Sequence, residues 1–368
     1  MRVLIVEPYL GGSHQAWAEG YAKYSRHDVR IIGHEARFWK WRMQGSALTL
    51  AGETEALIDV WGPPDVVMAS DMLALPSFLG ATRRFLGDPA TVLYMHENQL
   101  TYPVSPRDDF DPTFGTTNWL SMAAADEIWF NSEFHRSVVF EELPRFLKQF
   151  PDHTHELTLV DVAERSRVVP VGVDLRRIDR KPNPNAGAAP LILWSHRWEH
   201  DKAPEEFFAA LDGLGDAEFR VAICGENFRQ EPEEFTTARS KLGDRVVQFG
   251  WAPDDEYVRL LGEADIAVST SRQEFFGVSV VEAMYAGALP LLPNRLSYPG
   301  LIPKNLHGSC LYDDADDLVS RLEWVLRSPV ARYRVGQRLR MEMARYDWLA
   351  MAPQYDDLMD SLREEQRP

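Results

Sequence analysis

A repeated alternation of short apolar runs and helical patterns constrains the fold of this chain more than any other feature. The runs are rich in β-branched residues, and each is followed by a turn signal: 3–6, 29–32, 66–69, 92–96, 128–131, 168–171, 191–195, 220–225, 246–250, 266–269 and 289–293. Apolar strands that alternate with helices are typical of a parallel sheet covered on both faces. The alternation therefore predicts an α/β fold.

The alternation is interrupted between residues 176 and 190, where three prolines, one glycine and several small residues favour a linker. A length of 368 residues also exceeds what one hydrophobic core usually supports. We therefore expect two doubly wound, Rossmann-like domains, 1–180 and 188–345, facing a cleft, and a helical segment at 346–368. Ligands of such sheets bind at the carboxyl ends of the strands, so function is expected in the loops that follow them.

Charge and hydropathy exclude several classes of protein. The net charge of −17 argues against polyanion binding over the whole surface, because like charges repel phosphate. No stretch reaches the roughly 18 apolar residues of a membrane span, and the N-terminal apolar run is too short for a signal peptide. We expect a cytoplasmic protein without a membrane span, in which Cys224 and Cys310, both in apolar runs, are buried free thiols.

Two glutamates around a glycine carry the strongest functional signal. Glu274 follows a strand, and Gly277 permits close backbone approach. An apolar helix begins at Val278, directly after Phe276 and Gly277, and its N-terminal amides would point at an anion. Glu282 lies about one to two turns into that helix, on a face that reaches the same ligand. One carboxylate near the loop and one farther along suit two sets of hydroxyls that flank a diphosphate, although a solvated helix face is the simpler alternative.

A basic pair, Arg197 and Lys202, follows the first strand of the second domain. A nucleoside diphosphate gains charge as it leaves a sugar, and a fixed arginine and lysine can stabilise that charge without a metal. A surface salt bridge is the alternative interpretation. No DxD motif lies in a suitable loop, and the acidic run at 313–317 is typical of a helix cap. We expect no metal and no other cofactor.

Smaller features also lie at strand ends. His96 ends the fourth strand, and backbone groups near Gly250 and Trp251 are expected to read a nucleotide base. The segment after the first strand can bring backbone amides close to a donor phosphate or sugar, and it comprises Gly11, Gly12, Ser13 and His14. An ordinary turn accounts for these glycines nearly as well.

The pair Glu274 and Glu282 resembles that of the retaining glycosyltransferases of the GT-B class. In that class the first glutamate holds donor-sugar hydroxyls and the second holds the ribose hydroxyls. The resemblance makes Arg197 and Lys202 the diphosphate clamp. It makes His96 a donor-sugar contact, and it implies a metal-independent transfer with retention of configuration.

The segments 6–14, 37–42, 96–99 and 131–132 further resemble the tRNA-queuosine alpha-mannosyltransferase family. The resemblance implies GDP-mannose as donor and the queuosine of aspartate tRNA as acceptor. It makes residues of a basic, aromatic segment and of the 96–99 loop candidate contacts for the anticodon loop: Arg37, Trp39, Lys40, Trp41, Arg42 and Asn98. Taken alone, the aromatic segment favours a partly buried turn. A lipid, glycan or small-molecule acceptor, and a nucleotide-sugar-binding module without turnover, are the alternatives.

Overall fold

The computed structural model describes residues 1–103, 111–179, 189–225 and 233–365. The chain divides into two compact units, which we call the first unit, Met1–Val173 with Trp348–Pro368, and the second unit, Asp174–Asp347. The predicted linker at 176–190 lies partly outside the described residues. Its described beginning contains a short 3-10 helix, Leu175–Ile178, which belongs to the second unit.

The first unit is built on a six-stranded sheet with the order β2-β1-β3-β4-β5-β6. All of its strand pairs are parallel. The strands are β1 (Arg2–Leu10), β2 (Asp28–Glu35), β3 (Val66–Ser70), β4 (Ala90–Met95), β5 (Glu127–Phe130) and β6 (Ser166–Val168). The central strands β3, β4 and β5 are buried along their whole length, because helices cover both faces.

The helices of the first unit connect these strands. They are α1 (Gly12–Tyr24), α2 (Trp39–Trp61), α3 (Leu75–Thr82), α4 (Pro112–Ala124), α5 (Glu133–Leu147), α6 (Glu156–Glu164) and, after the second unit, α15 (Trp348–Glu365). No helix within the described ranges is both long and apolar enough to cross a membrane.

The C-terminal helix α15 packs into the first unit, whereas the sequence suggested a separate segment. Two glycines explain its position, because a Cβ atom at Gly20 or Gly172 would lie 2.0 or 2.4 Å from the ring of Trp348. The Tyr21 hydroxyl also donates to Asp356 at 2.7 Å. Buried aromatic area and this hydrogen bond therefore hold the C-terminal helix against the first helix of the chain.

The second unit repeats the architecture with the strand order β12-β11-β10-β7-β8-β9, again parallel. Its strands are β7 (Leu191–Ser195), β8 (Arg220–Cys224), β9 (Val246–Gly250), β10 (Ile266–Val268), β11 (Leu289–Pro293) and β12 (Leu311–Tyr312). Its helices are α7 (Pro204–Gly213), α8 (Glu233–Leu242), α9 (Asp254–Glu263), α10 (Val278–Ala286), α11 (Tyr298–Leu301), α12 (His307–Cys310), α13 (Ala315–Leu326) and α14 (Pro329–Met343).

The sequence patterns predicted the strands of both sheets except β12, which is too short to show a period, and β6, which shares only Val168 with the predicted run 168–171. The acidic run at 313–317 is the predicted helix cap, since the Asp314 side chain accepts from the amide of Asp317 at 2.9 Å. Cys224 and Cys310 are buried free thiols, as predicted. Burial raises the pKa of each thiol to about 12, so both stay protonated.

Candidate functional site

Strand order brings two distant loops of the second unit together. Strands β7 and β10 are paired neighbours, so the loops at their carboxyl ends meet at one edge of the sheet. The Thr270 hydroxyl donates to the carbonyl of Lys202 at 2.8 Å, and the Arg272 amide donates to the carbonyl of Asp201 at 2.7 Å. The basic loop after β7 and the loop that carries Glu274 are thereby fixed to each other.

Lys202 lies at the centre of this junction and is 7% exposed. Its ammonium donates to the carbonyl of Gln273 at 2.7 Å and lies 3.0 Å from Asp201 Oδ2 and 3.7 Å from Glu274 Oε2. Burial alone would lower the pKa of Lys202, but the carboxylates of Glu274 and Asp201 raise it above its ordinary value. A buried, permanent cation is therefore held against the first predicted glutamate.

Arg197 lies at the rim of the same loop. Its guanidinium is half exposed and lies 3.6 Å from Glu199 Oε2. Burial and the Lys202 ammonium lower the pKa of the preceding residue, His196, to about 3, so that this imidazole is neutral. The positive charge of the loop therefore lies on two side chains, Arg197 at the surface and Lys202 in the interior.

The second loop leads into α10 through a backbone that requires glycine. Gly277, the N-cap of α10, has a φ of 103°, which L side chains rarely adopt. Glu274 turns back over this loop and accepts from the Phe276 amide at 3.5 Å. Val278 begins the helix, so the first amides of α10 point away from the helix beside Glu274 and Lys202. The arrangement offers an anion both a buried cation and helix N-terminal amides.

Glu282 lies one turn into α10 and is 6% exposed. Arg177 donates from Nη2 to its Oε1 at 2.6 Å, and the Tyr257 hydroxyl donates to its Oε2 at 3.1 Å. The Ser195 hydroxyl donates in turn to the Tyr257 oxygen at 3.1 Å. Sequence reasoning singled out Glu282 but neither Arg177 nor Tyr257, because 105 and 25 residues separate them from it.

The predicted base-reading segment lies at the end of β9. Gly250 has a φ of 99°, and its carbonyl already accepts from the Gly225 amide at 3.1 Å. The carbonyl of Trp251 accepts from Gln248 Nε2 at 3.1 Å, while its indole ring is 65% exposed. The exposed ring thus offers a contact surface that the prediction of backbone contacts did not include.

In the first unit, a buried ion pair joins β1 to the start of α1. Gly11 and Gly12 form the junction, and Ser13 is exposed. His14 Nδ1 lies 3.0 Å from Oε2 of Glu7, which is completely buried. Burial alone would lower the pKa of His14, but the Glu7 carboxylate raises it to about 9. His14 is therefore an imidazolium at neutral pH.

His96 and Asp71 extend this cluster from the ends of β4 and β3. The rings of His14 and His96 lie 4.2 Å apart between centroids, and the His96 amide donates to Asp71 Oδ1 at 2.7 Å. Burial and the His14 cation lower the pKa of His96 well below its ordinary value, whereas burial and Glu97 raise that of Asp71. Within the described residues, Asp71 Oδ2 and His96 Nε2 have no hydrogen-bond partner. Both atoms are suited to a ligand that carries hydroxyl groups.

Glu7, His14 and His96 also form a group with metal-ligating side chains. One ligand atom from each residue lies within 4.8 Å of the other two. Both oxygens of Glu7 already accept hydrogen bonds, from His14 and from the Tyr9 amide at 2.8 Å. A metal bound here would therefore have to displace the proton that His14 Nδ1 shares with Glu7.

The structure argues against the predicted acceptor contact of Asn98. Asn98 is completely buried, and its Oδ1 accepts from the amides of Leu100 and Thr101 at 3.1 and 2.9 Å. An asparagine that bonds to the backbone two or three residues ahead stabilises a turn. Asn98 therefore shapes the loop after β4, and its side chain does not reach the surface.

Only some side chains of the basic, aromatic segment 37–42 lie at the surface, where contacts with the anticodon loop were predicted. Trp39 is half-buried, its ring 5.0 Å from that of Phe114, and Arg42 bonds to the Glu35 carbonyl at 3.3 Å. By contrast, Trp41 is 64% exposed, and Arg37 and Lys40 are exposed.

Phe38, which the prediction omitted, is 77% exposed. It is the N-cap of α2 and has a left-handed φ of 54°. Trp41 lies one turn later, where Gly45 leaves room for its ring. The exposed aromatic pair is therefore Phe38 and Trp41, rather than Trp39 and Trp41.

Comparisons with known proteins agree with this arrangement. The family model "tRNA-queuosine alpha-mannosyltransferase N-terminal" matches residues 2–173, and the model "Glycosyl transferases group 1" matches residues 176–343. The tRNA-queuosine alpha-mannosyltransferase of Drosophila melanogaster is 33% identical over 97% of this chain and 96% of its own length. The GDP-mannose:cellobiosyl-diphosphopolyprenol alpha-mannosyltransferase of Xanthomonas oryzae is 28% identical over 54% of this chain and 53% of its own length.

Solved structures show the same fold. Sucrose-phosphate synthase from Thermosynechococcus elongatus superimposes with a TM-score of 0.72 at 17% identity and full coverage of both chains. An Anabaena protein in complex with UDP and glucose gives a TM-score of 0.70 at 15% identity, over 98% of this chain and 100% of its own. The fold is therefore GT-B, and this chain is a glycosyltransferase that belongs to the tRNA-queuosine alpha-mannosyltransferase family.

Proposed function

We propose that this chain transfers mannose from GDP-mannose to the queuosine of aspartate tRNA. Similarity along nearly the whole chain to a tRNA-queuosine alpha-mannosyltransferase supports the sugar and the acceptor. The observation that carries the catalytic half of the proposal is the buried Lys202 ammonium, 3.7 Å from Glu274 at the N-terminal end of α10. A cation that can pair with a phosphate, fixed beside a carboxylate that can accept hydrogen bonds from hydroxyls, suits a sugar bound to a phosphate.

Each group of this junction has a proposed role. Lys202 and Arg197 stabilise the diphosphate as its charge grows, together with the first amides of α10. Glu274 accepts hydrogen bonds from sugar hydroxyls, and Glu282 accepts them from the ribose. The exposed ring of Trp251 contacts the base. These cations provide the charge that a metal ion supplies in other transferases, so the proposed reaction is metal-independent.

The proposed reaction retains the configuration at the anomeric carbon. The bond between that carbon and the phosphate oxygen breaks, and the bond to a queuosine hydroxyl forms on the same face. The proton of the attacking hydroxyl passes to an oxygen of the departing phosphate. No protein nucleophile is required, and the protein contributes positioning and charge stabilisation.

The polar cluster of the first unit is proposed to bind hydroxyl groups. Asp71 Oδ2 and His96 Nε2, which have no partner among the described residues, provide an acceptor and a ring nitrogen at neighbouring strand ends. His14, kept cationic by Glu7, adds a positive charge beside the junction Gly11–Gly12, where the donor is expected. We assign His96 to positioning the sugar rather than to proton transfer, because its lowered pKa makes it a weak base.

The surface of Arg37, Phe38, Lys40 and Trp41 is the proposed contact for the anticodon loop. Exposed rings offer stacking platforms for splayed bases, and the cations neutralise phosphates. Residues 1–45 carry seven basic and four acidic side chains, against a net charge of −17 for the whole chain. We therefore propose a small local RNA contact and a cytoplasmic site of action, where tRNA is available.

A thermal-shift screen of GDP-, UDP- and ADP-sugars tests the donor. A ligand at 100 times its dissociation constant stabilises the native state by about 2.7 kcal/mol, so GDP-mannose should raise the melting temperature most. Preference for a UDP-sugar would contradict the proposal.

A lipid- or glycan-linked acceptor is the second candidate, favoured by the similarity to the Xanthomonas oryzae mannosyltransferase. Products formed from a lipid extract separate the two acceptors. Slow hydrolysis of the donor without acceptor would exclude a binding module that lacks turnover.

A further inference from the structure

The contacts of Glu282 leave it with a defined hydrogen-bonding capacity. An ionised carboxylate has about four acceptor positions, two on each oxygen. Arg177 occupies one position on Oε1, and Tyr257 occupies one on Oε2. Among the residues that the structure describes, each oxygen therefore retains one position for a further donor. A vicinal diol supplies two hydroxyl donors on adjacent carbons and matches that capacity.

This capacity depends on a carboxylate that is held in one orientation. Glu282 is 6% exposed, and burying a carboxylate is costly unless a cation pairs with it. The Arg177 guanidinium supplies that cation at 2.6 Å, and it also lies over the Tyr257 ring, 5.9 Å from the centroid. Arg177 thus contacts both Glu282 and the ring of Tyr257, whose hydroxyl donates to Glu282.

We propose that Arg177 is a positioning residue for the donor nucleotide, which pairs with Glu282 and orients it to receive the ribose hydroxyls. This inference rests on the proposed function, in which Glu282 binds the ribose. Arg177 acts through Glu282 and does not itself contact the nucleotide. Its removal should therefore weaken the recognition of ribose hydroxyls and leave contacts with the base and phosphates in place.

The neighbouring arginine provides a matched control. Arg176 lies in the same 3-10 helix, but its side chain is 62% exposed and lies 3.5 Å from Asp347. Arg176→Met removes the same charge from the same short helix and keeps an apolar stem of similar length. It leaves the Arg177–Glu282 contact in place, so any difference between the two variants reports on Glu282.

Binding of GDP, 2′-deoxy-GDP and 3′-deoxy-GDP, measured by calorimetry, tests the proposal. In the unsubstituted protein, losing a hydroxyl that bonds to a charged group should weaken binding by about 10-fold or more. In Arg177→Met, GDP should bind about 10-fold more weakly, and its advantage over the deoxynucleotides should fall to about 2-fold or less. Arg176→Met should retain both the affinity and the discrimination.

Two results would overturn the role of Arg177 alone. One is an equal loss of affinity for all three nucleotides in Arg177→Met, which would make Arg177 a structural residue. The other is full discrimination in Arg177→Met together with its loss in Glu282→Gln. If Glu282→Gln itself discriminates as the unsubstituted protein does, the ribose assignment in the proposed function fails as well. Should Arg177→Met not fold, Arg177→Gln provides the same comparison, because it also removes the cation that pairs with Glu282.

Discussion

The exposed aromatic pair at the start of α2 provides a prediction that separates RNA contact from folding. Phe38 and Trp41 are 77% and 64% exposed, whereas Trp39 packs on Phe114. We expect Phe38→Ala and Trp41→Ala each to weaken binding of queuosine-containing aspartate tRNA and to leave GDP-mannose affinity unchanged. Trp39→Ala should instead act mainly on stability.

The magnitudes follow from exposure. A lost base stack costs about 1–3 kcal/mol, which corresponds to roughly 5- to 150-fold in affinity for RNA. Substitution of the exposed rings should change the free energy of unfolding by no more than about 0.5 kcal/mol. Truncating a fully buried tryptophan lowers the free energy of unfolding by about 3–5 kcal/mol. Because Trp39 is only half-buried, Trp39→Ala should lower it by less.

Fluorescence anisotropy with labelled tRNA, at several salt concentrations, measures this affinity, and calorimetric melting of each variant measures stability. Binding should weaken with salt, with a slope that corresponds to a few phosphates. Unchanged tRNA affinity in Phe38→Ala and Trp41→Ala, or an equal loss of stability in all three variants, would refute the assignment of this surface.

Three further predictions concern the polar sites. Arg197→Ala or Lys202→Ala should lower turnover by about 100-fold, the effect of losing one preorganised charge stabiliser. Lys202→Ala should also lower the melting temperature, because it leaves the carboxylates of Asp201 and Glu274 without their buried cation. Near-normal turnover in both variants would contradict the assignment of Arg197 and Lys202 as the diphosphate clamp. Saturating EDTA should leave transfer largely intact, and a strict metal requirement would instead point to the cluster Glu7, His14 and His96. The pKa of His14 rises from 6.5 to about 9 on folding, so its contribution, on the order of 3 kcal/mol, is complete below about pH 6.5 and is lost as the pH rises through 9. His14→Gln should remove this alkaline loss of stability in pH-dependent unfolding, and an unchanged profile would contradict the ion pair.

The sequence patterns anticipated what depends on local periodicity. Apolar runs located the strands, and the rule that ligands bind at the carboxyl ends of parallel strands selected the loops after β7 and β10. Lys202 and Glu274 then lie together because β7 and β10 are adjacent in the sheet. The proximity of these two side chains therefore follows from the topology.

Long-range contacts could not be anticipated in this way. Trp348 docks between Gly20 and Gly172, and Arg177 holds Glu282 across 105 residues. Neither contact produces a periodic pattern in the sequence, because each joins residues that come together only after the sheet has formed.

The different exposure of Trp39 and Trp41 has a simple geometric cause. Trp39 and Trp41 are two residues apart, and on a helix such residues point in directions that differ by about 200°. One ring is therefore half-buried and the other exposed. The left-handed backbone of Phe38 places a third ring outside, and no propensity predicts that conformation for phenylalanine.

Mass spectrometry of nucleosides tests the central claim most directly. The purified protein is incubated with GDP-mannose and with two forms of aspartate tRNA that differ only in carrying queuosine or guanosine at the modified position. The proposal predicts that queuosine gains the mass of one hexose, that the guanosine form stays unchanged, and that Lys202→Ala abolishes most of the gain. An unmodified queuosine, in a preparation that hydrolyses GDP-mannose and glycosylates a lipid or glycan extract, would contradict it.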